Sequence, residues 1–115
     1  MARIDQDFNM WIGDTKRVIF TVEDADSLVG SEIVWKLARS VKDEPVLIKT
    51  SENPEEIERD GNKFIVKIKP EDTEEVSTSG SYYHEAKVID GDGNIHTVSV
   101  GRINFNPALI KKKEG

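Results

Sequence analysis

Alternation with a period of two runs through most of this chain. Successive side chains of a β-strand point to opposite faces, so a strand with one face on a core and one in water alternates apolar with polar residues. Over residues 15–23 the even positions Val18, Phe20 and Val22 are apolar, while Lys16, Arg17, Thr21 and Glu23 are polar and Ile19 breaks the pattern. In 31–40 Ile33, Trp35 and Leu37 stand against Glu32 and Lys36, and in 62–69 Phe64, Val66 and Ile68 stand against Lys63, Lys67 and Lys69. Residues 80–90 place Tyr82, His84, Ala86 and Val88 on an expected core face, with Tyr83, Glu85, Lys87 and Ile89 on the other.

The next apolar positions, Val98 and Val100, are even as well. The register that joins the two faces pairs Val88 with His96, Ala86 with Val98 and His84 with Val100. It needs an odd loop, and Gly91-Asp92-Gly93 supplies one, with glycine free to take positive φ. Beyond Gly101 the apolar set moves to the odd positions Ile103 and Phe105, which predicts a glycine bulge at Gly101-Arg102. Residues 4–12, with Ile4, Phe8, Met10 and Ile12 on even positions, predict one first edge strand. Residues 46–50 predict a short strand after Pro45, and 55–60 either a short strand or a turn closing on Asp60-Gly61. Pro70 ahead of an acidic run predicts one helical turn over 70–76.

Seven to eight strands with turn signals between them predict an all-β fold, an antiparallel β-sandwich of immunoglobulin-like type. Trp35 falls where such sandwiches bury a tryptophan in the third strand, some fifteen residues after Phe20 in the second. Tyr82 is the candidate for the corner tyrosine, its hydroxyl bonding back to the preceding turn, and His84 stands where a disulfide-forming domain places its second cysteine. The expected domain is a single sandwich over 1–110, followed by a basic tail over 111–115 that carries Lys111, Lys112 and Lys113.

A length of 115 residues agrees with one domain, and the absence of cysteine excludes a disulfide framework, a thiolate metal site and a thiol nucleophile. Sixteen Lys and Arg against twenty-two Asp and Glu give a net charge of −6, which disfavours nucleic acid and anionic membranes as partners. The first residues lack the basic start and apolar run of a secretory signal, and no apolar run approaches a membrane span. Synthesis in the cytoplasm is the expectation.

Only His84 and His96 could exchange protons near neutral pH. In the expected register they lie about four residues, or roughly 13 Å, apart along the sheet and cannot share a metal or relay a proton. His84 is expected to be a hydrogen-bonded core residue and His96 a surface residue of the hairpin. Asp90-Gly91-Asp92-Gly93-Asn94 has the alternating oxygens of a calcium loop without its distal bidentate Glu, and is expected to be a plain hairpin. The other acidic stretches fall in turns, and no G-x-S-x-G, GxGxxG or phosphate-loop motif occurs. No catalytic, cofactor or metal residue is therefore expected. Trp11 sits on the polar parity of its strand and Tyr83 points away from the Tyr82 face. Each is either half-covered by a loop or part of an interface, and these two are the candidate interaction residues.

The order of these motifs carries a resemblance. Thr21-Val22-Glu23-Asp24, the strand around Trp35, Gly61-Asn62-Lys63-Phe64-Ile65-Val66-Lys67-Ile68 and Pro70-Glu71-Asp72-Thr73 come first. Gly80-Ser81-Tyr82-Tyr83-His84-Glu85-Ala86-Lys87-Val88-Ile89-Asp90, Gly91-Asp92-Gly93-Asn94 and Thr97-Val98-Ser99-Val100-Gly101-Arg102-Ile103 follow. Over roughly residues 15 to 105 this resembles the N-terminal domain of baseplate upper proteins of phages that infect Gram-positive bacteria, and related small phage tail and prophage proteins. The resemblance implies a non-catalytic virion structural module, tail- or baseplate-associated, partnered by copies of itself or by other virion proteins. The alternative class is a carbohydrate- or protein-binding module at a cell surface, with Trp11 or Tyr83 as its platform.

Overall fold

The structure, a computed structural model, describes residues 3–74 and 80–107. The strands are β1 (Ile4–Asp5), β2 (Phe8–Trp11), β3 (Lys16–Thr21), β4 (Glu32–Ala38), β5 (Leu47–Thr50), β6 (Ile57–Asp60), β7 (Lys63–Ile68), β8 (Gly80–Ile89) and β9 (Ile95–Asn106), with one short helix, α1 (Pro70–Glu74). They form two sheets, a six-stranded one in the order β1-β9-β8-β4-β5, with β2 also paired to β9, and a three-stranded one in the order β3-β7-β6. The protein is an all-β sandwich, and its second-to-ninth strand connectivity is that of an immunoglobulin-like fold. The basic tail over 111–115 and the boundary at 110 lie outside the described residues.

The alternating pattern gives the core directly. Val18, Phe20 and Val22, Ile33, Trp35 and Leu37, Phe64, Val66 and Ile68, and Tyr82, Ala86 and Val88 are all buried between the sheets. Phe20 stacks on Phe64 with ring centroids 4.8 Å apart, and Tyr82 meets Phe105 edge-on at 5.3 Å. Arg39 lies 4.9 Å above the Tyr82 ring. The turn expected ahead of Tyr82, Pro70-Glu71-Asp72-Thr73, lies in α1, and residues 75–79 are outside the described residues. Within 55–60, Ile57–Asp60 form strand β6, which enters β7 through Gly61-Asn62; Gly61 has φ +62° and Asn62 does not have positive φ, as a two-residue turn with glycine first requires.

Two expectations need correction. The register of β8 with β9 keeps Val88 opposite His96, but Ala86 pairs with Ser99 and His84 with Gly101. The irregularity therefore falls at Val98, not at Gly101-Arg102, and the core parity of β9 is already odd at Ser99. Val98 is the extra residue and stays buried, Ser99 is buried behind it, and Val100 turns to the outer face. The physical reason is Gly101. A Cβ there would stand 2.1 Å from the Gln6 carbonyl oxygen, so this position must face inward without a side chain to admit the N-terminal strand.

The second correction concerns that strand. Residues 4–12 do not form one continuous edge strand; they pair in two pieces, and both run parallel to β9. The register is the same in both pieces, Ile4 opposite Ser99 and Phe8 opposite Ile103, so no residue is inserted between them. The break at Gln6-Asp7 arises because Gln6 turns its carbonyl inward over Gly101 to His84, while Asp7 Oδ1 takes the Arg102 N–H at 2.9 Å.

One buried ion pair was invisible in the pattern. Lys49, on edge strand β5 opposite Trp35, points inward and its Nζ lies 2.7 Å from Asp72 Oδ2 in α1, with both side chains largely buried. Asp72 Oδ2 also accepts the Lys69 N–H at 2.7 Å, the reach-back that closes the first turn of a helix. Thr73, fully buried beside it, accepts the Gly13 N–H at 2.7 Å and ties the β2–β3 connection to the same corner.

Candidate interaction face

The two histidines occupy unlike settings. His84 is fully buried, with the rings of Phe8, Trp35 and Phe20 at 5.6, 6.0 and 6.2 Å. The Trp35 indole can only donate, so its 3.3 Å contact to Nδ1 makes that nitrogen the acceptor and puts the ring proton on Nε2. Nε2–H then donates to the Gln6 carbonyl at 2.6 Å. The neutral ring is thus satisfied at both nitrogens, and burial lowers its pKa against the smaller opposing pull of the Gln6 carbonyl and the Asp7 carboxylate. His84 is a link between sheet and edge strand, as its place on the core parity predicts.

His96 lies near the surface, with Nε2 3.1 Å from Asp90 Oδ2. The other Asp90 oxygen accepts the N–H groups of Asp92 and Asn94 at 3.0 and 2.9 Å. Contact with His96 first, then these backbone donors, hold the Asp90 carboxyl below its ordinary range. The loop is the expected three-residue hairpin with Gly93 at φ +86°, and its acidic side chain is engaged in holding the turn. Among the described residues no three His, Asp or Glu side chains gather as a metal-binding group, and no helix is long and apolar enough to cross a membrane.

Trp11 and Tyr83 come together on one surface, the outer face of the six-stranded sheet. Trp11 is 55% exposed and pairs with Asn106 at one end of β9; Tyr83 is half-buried and pairs with Arg102. Four residues along β9 and two strand spacings separate them, about 16 Å. The Tyr83 hydroxyl donates to Glu85 at 2.9 Å, and its pKa is raised, first by burial and then by that carboxylate. Lys87 bridges Glu85 at 3.7 Å and Thr97 at 2.7 Å.

Around these polar groups the face is more aliphatic than a solvated sheet surface. Ile48 and Ile95 are 50% and 63% exposed, and Val34 and Ile89 are half-buried beside them. Val34, Lys36, Glu85, Lys87, Ile89 and Ile95 line a shallow depression of about 240 Å³, smaller than the roughly 300–1,000 Å³ of small-molecule pockets. Among the described residues the β4–β5 loop, through Val41, Asp43 and Pro45, borders this face at its Ala38–Tyr83 end, where Ala38 is buried, and the face is open from Lys36 toward the hairpin end. Sequence parity marked Tyr83 and Ile89 as outward, while the exposure of Ile48 and Ile95 follows from β5 and β9 being laid beside β4 and β8. The signal that could have found them was the presence of isoleucine at positions whose parity faces water.

No protein-family model matches this chain, and no curated protein matches it. Comparison with solved structures finds, among others, a Bacteroides vulgatus protein described as a "putative glycoside hydrolase". The TM-score is 0.44 at 15% identity, over 90% of this chain and 17% of that protein, so this chain spans about a sixth of its length.

Proposed function

We propose that this chain is a non-catalytic structural module of a phage or prophage virion, associated with tail or baseplate, that works by protein–protein assembly. The observation that carries the reading is the outer face of the larger sheet, where exposed Ile48 and Ile95 and half-buried Val34 and Ile89 surround a small polar cluster at Tyr83, Lys36, Glu85 and Lys87. A sheet surface destined for water is polar at such positions, and a mixed face of this kind is the usual composition of an assembly surface. The motif order that resembles baseplate upper proteins favours a virion as its setting. The full burial of His84, with both ring nitrogens committed to Trp35 and Gln6, keeps that ring from any substrate and agrees with a structural role for it.

Coexpression with the products of neighbouring genes tests the proposal. The expected result is copurification with a tail or baseplate protein that is lost in the Ile48→Lys/Ile95→Lys variant, whose fold is unchanged because both sites are exposed. Flanking genes unrelated to a virion, with no copurifying product, would overturn it, as would turnover on ester or glycan panels. The second reading, a glycan-binding module, draws on Trp11, whose indole is exposed at the end of the same face. Glycan binding abolished by Trp11→Ala with assembly intact would select it.

A further inference from the structure

The register of the larger sheet fixes which outward side chains stand side by side. Lys36 lies beside Glu85, Val34 beside Lys87 and Ala38 beside Tyr83 across β4 and β8. Ile48 and Thr50 of β5 flank Lys36 and Val34 on one side, and Val100 and Thr97 of β9 flank Glu85 and Lys87 on the other. From this layout we infer that the partner of the face is a second copy of the chain, docked across a two-fold axis that runs parallel to the strands between β4 and β8. The inference rests on the assembly reading above and names its partner.

Such an axis keeps each residue at its own level along the strands and exchanges β4 with β8 and β5 with β9. Lys36 of each copy then meets Glu85 of the other, twice over. Ile48 faces Val100 and Thr50 faces Thr97, while Ala38, already buried beside the β4–β5 loop, comes level with Tyr83 and adds no contact. Val34 meets the aliphatic stem of Lys87, whose ammonium is already held by Thr97 and Glu85. At the fourth level Ile89 meets the aliphatic stem of Glu32 of the other copy, and Ile95 lies at the hairpin rim. A two-fold at right angles to the strands through the same level would set Lys36 on Lys36 and Glu85 on Glu85, so the charges select the first axis. Isologous contacts of this kind are closed and finite.

The size is adequate. Four strands about 4.8 Å apart and four levels two residues apart give a flat footprint of roughly 500 Å². Side-chain relief raises the accessible area toward the roughly 800 Å² per partner of a stable interface, and stacked sheets pack aligned in this way.

Sedimentation equilibrium on the full chain tests the inference. The wild type is expected to show a concentration-dependent dimer. Lys36→Glu and Glu85→Lys should each weaken it by roughly tenfold or more, because each places like charges together twice. The double variant Lys36→Glu/Glu85→Lys in one chain should restore it, and so should an equimolar mixture of the two single variants. Melting temperatures check that each variant is folded. The chain has no cysteine, so Ile48→Cys mixed with Val100→Cys should be joined into a dimer by a bismaleimide linker, which spans the roughly 10 Å between stacked sheets, and Ile19→Cys, on the other sheet, should not. A wild type that stays monomeric up to about 1 mM, single reversals that dimerise unchanged, or failure of the double reversal to rescue would overturn the two-fold pairing. A monomer that still copurifies with a neighbouring gene's product through Ile48 and Ile95 overturns only the second-copy partner; a chain that does neither overturns the assembly reading as well.

Discussion

Acid should loosen this sandwich through His84 before its carboxylates dominate. The ring is neutral and buried, and a second proton would have to enter at Nδ1, where the Trp35 N–H already points. Protonation therefore sets two donors against each other among the Phe8, Phe20 and Trp35 rings. The folded-state pKa is lowered from 6.5 while the unfolded chain titrates near that value, so the unfolded state binds the proton more readily. Stability is complete above about pH 6.5 and falls as pH drops from there toward the depressed folded-state value, by up to about 1.4 kcal/mol per pH unit. At pH 5.5 the deficit reaches up to about 1.4 kcal/mol, or roughly 5–8 °C in melting temperature for a domain of this size. Urea unfolding followed by circular dichroism from pH 7.5 to 5.0, on wild type and His84→Gln, isolates the effect, because the carboxylates are common to both. The two curves should diverge below pH 6.5 as the wild type alone loses the increment. Curves that stay parallel between pH 7 and 5.5 would refute the reasoning.

Gly101→Ala should cost about 1–3 kcal/mol, since the new methyl meets the Gln6 carbonyl at 2.1 Å and the Asp7 carboxylate at 2.8 Å. Hydrogen exchange at the Arg102 amide, which Asp7 now protects, should quicken with it; an unchanged urea midpoint would show that the edge strand does not need this gap. Asp72→Asn should lower stability by up to about 3–5 kcal/mol by leaving the Lys49 ammonium buried without its countercharge. Adding Lys49→Met in the same chain should recover most of that loss in the same urea assay.

Much of the core was legible because two simple constraints coincide along β3, β4, β7 and β8: strong strand formers and an alternation in which the inward parity is apolar but for His84, despite outward Ile19, Val34 and Ile65. Ile33, Trp35 and Leu37 could face only one way. The hairpin at Gly91-Asp92-Gly93 was legible for a local reason, the φ that glycine permits. The bulge was misplaced because parity alone shows that the apolar face changes sides between Val98 and Ile103, without saying where. What decides the position is the nonlocal approach of Gln6 to Gly101, and nothing near residue 100 records it. Ser99 hid the earlier switch, since a small polar residue reads as outward although it is buried. The parallel course of β1 and β2 was hidden because alternation is blind to strand direction. Lys49 was hidden because a lysine on a half-apolar strand is ordinarily a solvated end, and its partner Asp72 lies in a helical turn far along the chain. Of the candidate face, Tyr83 and Trp11 were legible from parity, while the grouping of Ile48 with Ile95 required the strand order.

The inward Lys49 also bears on the exposed edge of the larger sheet. Strand β5 is an outermost strand of its sheet, and its neighbour Val46 is exposed, the sort of rim onto which a stray chain could zip by backbone pairing. An ammonium moored to α1 beneath that rim would have to be carried into the dry seam of any extended sheet, a cost that disfavours lateral growth at this strand.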